Sequence, residues 1–448
     1  MERRVAFHTL GCKVNQSETE ALAGLFRNRG YRVVGSGEEA DVYVVNTCTV
    51  THLGDRKSRQ LIRRVSRKHP DALVVVTGCY SQTAPEDVIS IPGVDLVVGT
   101  HDRARIPELV GTITKGGQPL NLVSDVRQVT EFEELPVDVQ TSRTRAFLKI
   151  QEGCNQYCTY CIVPYARGPV RSRSPERVLA ELRRLAGAGF KEVVLTGIHT
   201  CAYGLDLGQG INLAWLINNI TEEVPELPRL RLSSIEPTRV TESLVATIAG
   251  SPACCRHFHI PLQSGDDWVL HRMGRRYTTA EFSRVVELVR QRIPEAAMTT
   301  DMIVGFPGET DREFQNSLQF ARSMGFSRIH VFKYSPRSGT PAASYPDQVA
   351  PPLKEERSSL LMGLASELAG EYARGFIGSS LTVLVEEPLS RVPPGLRMAG
   401  TGDNWYRGLS DNYLDIACPG PGELIGELVP TEITAVFEDQ IIGRLSHS

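Results

Sequence analysis
No run of apolar residues in the sequence approaches the ~18 that a membrane-spanning helix needs, so no span is expected. The first residues, Met1-Glu2-Arg3-Arg4-Val5-Ala6-Phe7, lack the apolar core of a secretion signal, so a cytoplasmic protein is expected. Charge of one sign is missing too: 49 Lys and Arg against 52 Asp and Glu leave a net charge of −3. That excludes a globally basic nucleic-acid binder, and any such contact must come from local patches. What the chain does have is cysteine. In a reducing compartment its ten Cys are free for metal rather than paired as disulfides. A hydrophobic content of 41% with 23% charged residues describes a soluble globular protein. At 448 residues it exceeds one ordinary core, and two or three domains are expected.

One stretch organises the rest: Cys154-Asn155-Gln156-Tyr157-Cys158-Thr159-Tyr160-Cys161. Thiolate is a soft ligand that suits iron–sulfur clusters and zinc. Three Cys on a [4Fe–4S] cube leave one iron open to bind and activate a small molecule. A structural zinc corner would want a fourth ligand, and His199 is the nearby candidate. The spacing Cys-x3-Cys-x2-Cys, with Tyr160 before the last Cys, resembles the signature of the radical S-adenosylmethionine (SAM) enzymes. The extension Ile162-Val163-Pro164-Tyr165-Ala166-Arg167-Gly168, then Arg171-Ser172-Arg173, is similar to the methylthiotransferase branch of that superfamily. The resemblance covers nearly the whole chain.

Residues 1–125 alternate strands and helices. Val5–Thr9, Val42–Asn46, Leu73–Thr77 and Leu96–Val98 read as strands. Ser17–Arg29, capped by Ser17, and a stretch from Gly54 to Lys68 read as helices. The pattern implies a parallel, doubly wound sheet. Cys12, Cys48 and Cys79 each follow a strand, so all three fall at the carboxyl edge where open α/β sheets place their sites. Gly11 and Gly78 adjoin two of them and permit close backbone approach. Three unrelated buried thiols are the plain alternative. Gly11-Cys12-Lys13-Val14-Asn15-Gln16, Asn46-Thr47-Cys48-Thr49-Val50 and Thr77-Gly78-Cys79 resemble the amino-terminal methylthiotransferase domain. That resemblance implies an auxiliary [4Fe–4S] cluster on these three Cys, whose open iron binds the sulfur to be donated. Arg56, Arg59, Arg63 and Arg67 form one stripe of the second helix, with Arg64 and Lys68 beside it. The stripe suits either a solvated face or tRNA phosphates.

Residues 126–143, with Glu131, Glu133, Glu134 and Pro136, read as a connector. Residues 144–375 carry six strand-like runs: Ala146–Ile150, Glu192–Thr196, Leu230–Ser234, His257–Pro261, Met298–Gly305 and Arg328–Phe332. Helices are expected at Pro175–Leu185, Glu281–Arg292 and Asp311–Met324. Six such units suggest a partial (β/α)6 barrel, with its site at the carboxyl ends of the strands. The resemblance implies SAM contacts there. They are Tyr160, Gly197, Ser234 and Glu236 on the first three strands, then Gln263, Gly305, Phe332 and Tyr334 on the last three. Where the superfamily usually has paired glycines before an acid, this chain has Thr196-Gly197-Ile198-His199. Cys201, Cys254, Cys255 and Cys418 read as small buried residues.

Residues 376–448 turn to short β-rich runs: Leu381–Val385, Trp405–Gly408, Tyr413–Ile416 and Ile433–Phe437, with Pro393-Pro394-Gly395 and Pro419-Gly420-Pro421-Gly422 between. They suggest a small antiparallel barrel. It resembles the TRAM domain, an RNA-binding module; a structural cap on the larger barrel is the alternative.

The resemblance implies a radical SAM tRNA methylthiotransferase with two [4Fe–4S] clusters, SAM and tRNA as its cofactors and partners. The sulfur donor and the low-potential electron donor stay unnamed. Replacing an unactivated purine C–H by methylthio cannot start from a side-chain base, because the carbanion is too unstable; a radical route avoids it. Gly11–Glu18 and Thr49–Gln60 are most similar to the branch acting on threonylcarbamoyladenosine at position 37 of tRNA. Open alternatives are isopentenyladenosine in tRNA, a ribosomal-protein aspartate, or an iron–sulfur RNA-binding protein without turnover.

Overall fold
The computed structural model describes residues 2–139, 143–389, 404–437 and 440–445. The Pro393-Pro394-Gly395 turn lies outside them.

The amino-terminal sheet is built on two Val-rich runs, β3 (Val42–Thr47) and β4 (Leu73–Gly78), in which every residue is buried. Continuous apolar runs of this kind belong to parallel strands covered on both faces. Around them lie β1 (Arg4–Thr9), β2 (Arg32–Val34), β5 (Leu96–Val97) and β6 (Leu120–Asn121), all parallel, in the order β2-β1-β3-β4-β5-β6. The chain reverses its direction across the sheet between β1 and β3. The crevice at such a switch point is where open sheets bind ligands.

The first helix differs from expectation. It runs Lys13–Arg27, with Cys12 at its N-cap, and Ser17 is buried inside it rather than capping it. Asn15 explains the early start. Its side chain donates to the Leu10 and Thr47 carbonyls at 2.8 and 2.9 Å and ties the first turn to both strands. The second helix, His52–Lys68, is capped by Thr51.

The larger unit curves as β7 (Arg145–Glu152), β8 (Arg171–Ser172), β9 (Glu192–Gly197), β10 (Arg229–Leu232), β11 (His257–His259), β12 (Ala297–Val304) and β13 (Arg328–Lys333). The order is β8-β7-β9-β10 and β11-β12-β13, joined by bridges from Leu230 to Cys254 and from Ser234 to His259. Apart from the short antiparallel β8, all six strands are parallel. Helices Pro175–Gly187, Thr279–Arg292 and Asp311–Met324 cover the outside, as do Leu213–Glu223 and Glu242–Gly250, which the sequence did not announce. One apolar cluster runs beneath them all. Residues 126–139 lie against this unit: Leu135 and Val137 are buried, Glu133 pairs with Arg103, and Glu134 pairs with Arg173.

Helix Pro351–Arg374 leads to a closed barrel of β14 (Ser380–Pro388), β15 (Asn404–Ser410), β16 (Asp415–Gly420), β17 (Leu428–Phe437) and β18 (Gln440–Leu445). It is not wholly antiparallel, because β16 and β18 run parallel. Tyr413 lies in a turn at φ +65 rather than starting a strand. Arg229 and Arg231 of β10 fasten this barrel by donating to its Leu409, Ser410 and Asp411 carbonyls. No helix among the described residues is long and apolar enough to cross a membrane.

Candidate active site
Cys12, Cys48 and Cys79 follow β1, β3 and β4, at the carboxyl edge and across the switch point. Their burial is graded: Cys12 is exposed, Cys48 half-buried and Cys79 buried. Two glycines make room. At Gly11 (φ +110) an added Cβ would stand 3.0 Å from the Cys48 Cβ, and at Gly78 (φ +99) it would meet Asn46 and the Thr47 backbone at 2.4–2.7 Å. The three thiols act electrostatically on one another. Cys12 stands at the N-cap of the first helix.

The second triad lies on the loop after β7. A turn closes from the Cys161 N–H to the Cys158 carbonyl at 2.9 Å. Thr159 anchors the loop by donating from its hydroxyl to the Arg272 carbonyl at 2.8 Å. Each triad also has an arginine on one sulfur. Arg167 Nε is 3.1 Å from Cys79 Sγ, and Arg275 Nη1 is 3.3 Å from Cys158 Sγ. Arg275 turns its other nitrogen to Glu236 at 2.6 Å.

These donors fit iron–sulfur clusters. Burial pushes the Cys79 and Cys161 thiols up to about 12 and Cys154 up to about 11, so each would ionise only against a metal and its counter-cation. Among the described residues neither triad brings all its sulfurs within 4.8 Å of one another. A tetrahedral zinc with Zn–S near 2.3 Å needs spacings of ~3.8 Å, which disfavours a single ion. His199 joins neither triad. It is buried, burial pushes its value down to about 4, and its backbone N–H donates to Gln151 at 2.7 Å.

A cavity of about 190 Å³ is lined by Tyr160 and Cys161 and by Val50 and Thr51, from the loop that follows Cys48. Gln263, Phe332 and Tyr334 close it, so these three and Tyr160 are brought together. Phe332 is 45% exposed, whereas Tyr334 is buried edge-on against Phe306. Gly197, Ser234, Glu236 and Gly305 lie outside this wall. At Gly197 the space for a Cβ is filled by Gln151 at 2.9 Å, and at Gly305 by Lys354 at 2.4 Å. Gly305 donates its N–H to Glu309 at 2.8 Å.

Comparison with known proteins follows the same division. Residues 4–99 match a family model described as an uncharacterized protein family, UPF0004, and residues 148–321 match the radical SAM superfamily. The threonylcarbamoyladenosine tRNA methylthiotransferase MtaB of Bacillus subtilis is 45% identical over 96% of this chain and 93% of its own. The tRNA-2-methylthio-N(6)-dimethylallyladenosine synthase of Pelotomaculum thermopropionicum is 36% identical over 98% of this chain and 96% of its own. The chain belongs to the radical SAM tRNA methylthiotransferase family. The fold recurs in the radical SAM methyltransferase TsrM of Kitasatospora setae, at 16% identity and a TM-score of 0.55, over 90% of this chain and 84% of that one. Family membership brings SAM and a [4Fe–4S] cluster, and the Cys154, Cys158 and Cys161 loop lies within the matched radical SAM region.

Between its two triads this methylthiotransferase holds a buried charge network that the sequence did not disclose. Arg103, Lys149 and Arg167 interleave with Glu18, Glu133 and Glu152. Burial alone would raise the Glu18 carboxyl, but the three cations together hold it well below its ordinary range. Arg167 also donates to Asn15 at 2.6 Å, so one side chain from the Cys161 loop touches both the first helix and Cys79. Arg167 stood visible in the motif after Cys161; its partner across the interface did not. Arg275, 117 residues beyond Cys158, left no local signal. Of the arginine stripe, Arg56, Arg63 and Arg67 are exposed, while Arg59 is committed to the Tyr80 hydroxyl at 3.0 Å. Cys201, Cys254, Cys255 and Cys418 are all buried.

Proposed function
We propose that this enzyme places a methylthio group at C2 of N6-threonylcarbamoyladenosine at position 37 of tRNA. The observation that carries the reading is its 45% identity, end to end, with a relative named for that substrate. The cavity supports it: the loop that follows Cys48 and the loop that carries Cys161 both line it, so one bound base can lie near both.

In this reading Cys154, Cys158 and Cys161 hold one [4Fe–4S] cluster and Cys12, Cys48 and Cys79 a second, with SAM beside Tyr160, Gln263, Phe332 and Tyr334. When bound, these groups supply the one-electron cleavage of SAM and the sulfur that replaces the C2 hydrogen. The protein's own contribution is placement. Arg275 offsets charge at Cys158 and orients Glu236. Arg167 does the same at Cys79. Gln151 fills the space at Gly197 and holds the His199 backbone, fixing the turn after β9.

The exposed arginines of helix His52–Lys68 suit the phosphates of the anticodon arm. The closed barrel of β14–β18 would add a TRAM-like RNA contact.

The test is anaerobic turnover with SAM and a low-potential reductant on anticodon stem-loops. One carries threonylcarbamoyladenosine and one isopentenyladenosine, and nucleosides are read by mass spectrometry. A methylthio product from the first substrate alone is expected. Product from the isopentenyl substrate alone would transfer the assignment to the reaction for which the 36% identical relative is named. RNA binding without SAM cleavage would end the catalytic reading.

A further inference from the structure
The wall of the cavity continues beyond Gln263. Asp301 and Ile303 line it from β12, and Phe332 from β13. Strand residues alternate, so Thr299 shares a face with Asp301, and His330 with Phe332. His257 and His259 of β11 complete the wall: both rings meet Thr299 Oγ1, at 2.9 and 3.0 Å. His259 Nε2 lies 3.3 Å from Asp301, and the His259 and His330 rings are 5.7 Å apart. A polar ladder thus descends from the cavity.

Lys13 faces the foot of this ladder. It follows Cys12 directly, and its charge reaches His257 and His330. Its Nζ lies 5.5 Å from the ring of Tyr413, which stacks on His257 at 4.5 Å. Of the neighbouring cations, Arg231 is paired with Glu192, Arg145 with Glu386 and Lys149 with Glu18, while Arg328 is exposed to solvent. Lys13 has no carboxylate at ion-pair distance among the described residues, so a half-buried ammonium looks into the recess without an anion. His330 is exposed on this face, and desolvation of its ring holds it below its ordinary range although Asp301 opposes the shift.

A threonylcarbamoyl group brings what this wall lacks and accepts what it offers. It carries one carboxylate, a hydroxyl and ureido N–H groups; an isopentenyl group carries none of these. N6 and C2 flank N1 on the same edge of adenine. A base presenting C2 to the cavity can direct its N6 arm past Asp301 along the ladder. We infer that Lys13, with His330 beside it, holds the carboxylate of the substrate's N6 arm, and that Asp301 accepts a hydrogen bond from the same arm. The inference rests on the substrate proposed above and adds the residues that select it. His259, Asp301 and His330 also have donor atoms close enough for one metal ion. The unpaired ammonium nearby favours an anionic ligand instead.

The experiment compares two stem-loops, one with threonylcarbamoyladenosine and one with its carboxylate methylated, on wild type, Lys13→Met, Lys13→Arg and His330→Ala. Wild type should prefer the free acid by roughly ten- to a hundredfold in kcat/KM, the range of one charge-assisted hydrogen bond. Lys13→Met should treat acid and ester alike, Lys13→Arg should retain the preference, and His330→Ala should reduce it. If Lys13→Met disturbs cluster loading beside Cys12, seen as lost iron, the arginine and His330 variants carry the test. An undiminished preference in Lys13→Met or His330→Ala overturns the inference. So does a divalent ion, beyond cluster iron, that is recovered with wild type and lost in His330→Ala. Wild type that modifies neither RNA would instead overturn the proposed substrate, a separate result.

Discussion

Arg167 shows how much one side chain can settle. It is fully buried, and it meets Cys79, Asn15, Glu18 and Glu152 at once. Replacement by Ala would leave Glu18 and Glu152 with only Arg103 and Lys149 against them, and breaking a buried pair outright costs about 3–5 kcal/mol. Arg167→Ala should therefore lower the anaerobic denaturant midpoint sharply, with Arg167→Lys in between because it restores charge without the fork. A loss under about 1 kcal/mol in Arg167→Ala would mean the network relaxes or admits water. Glu309 makes a second residue-scale case, through pH. Burial raises its carboxyl from 4.5 to about 7, against the Gly305 N–H and Arg357. The folded chain then holds this proton more tightly than the unfolded one. The stabilisation is complete below about 4.5 and disappears as pH rises through about 7. Compared with Glu309→Gln, wild type should lose on the order of 2–3 kcal/mol between about pH 5 and about pH 8. Parallel denaturation curves for the two proteins would refute it.

Among the elements, helix His52–Lys68 makes the clearest commitment. Asp55, Ser58, Ile62 and Val65 are buried, and Arg56, Arg63, Arg64, Arg67 and Lys68 face solvent. If that face meets tRNA, affinity should fall with salt, and each lost phosphate contact should flatten the log–log slope by ~0.7–0.9. The combined variant Arg56→Gln, Arg63→Gln, Arg67→Gln should flatten it by roughly two to three units in filter binding. Arg59→Gln should leave the slope alone, because Arg59 is held by Tyr80. An unchanged slope in the triple variant would return the stripe to a solvated face. Elements with one strong signal were legible in the sequence. Val42–Thr47 and Leu73–Gly78 stand out as unbroken apolar runs, and Asp311–Met324 as a capped amphipathic helix. Helix Pro351–Arg374 was not, because its apolar residues form no single stripe. Leu361, Leu364 and Leu368 are buried, while Leu360 and Met362 are exposed. The first helix was misread at its start because Asn15, a good cap, ties the Leu10 and Thr47 carbonyls from inside the first turn, and Ser17 is buried within the helix.

Across the whole molecule the thiol triads come from different sheets, and the charges between them come from both. Cys spacing made each triad readable, since one sits in a single loop and the other repeats after successive strands. That one cavity is lined both by Val50 and Thr51 and by Tyr160 and Cys161, more than 100 residues away on the chain, is encoded in no local pattern. Two separable sites predict separable metal contents. Wild type reconstituted anaerobically should carry about eight irons per chain, and the Cys12/Cys48/Cys79→Ala variant about four. The variant should still cleave SAM, because Cys158 and Thr159 take their anchors from Arg272, Met273 and Arg275 of the larger unit. It should form no methylthio product. Equal iron in both proteins would remove the second cluster, and the sulfur would then have to come from outside the chain.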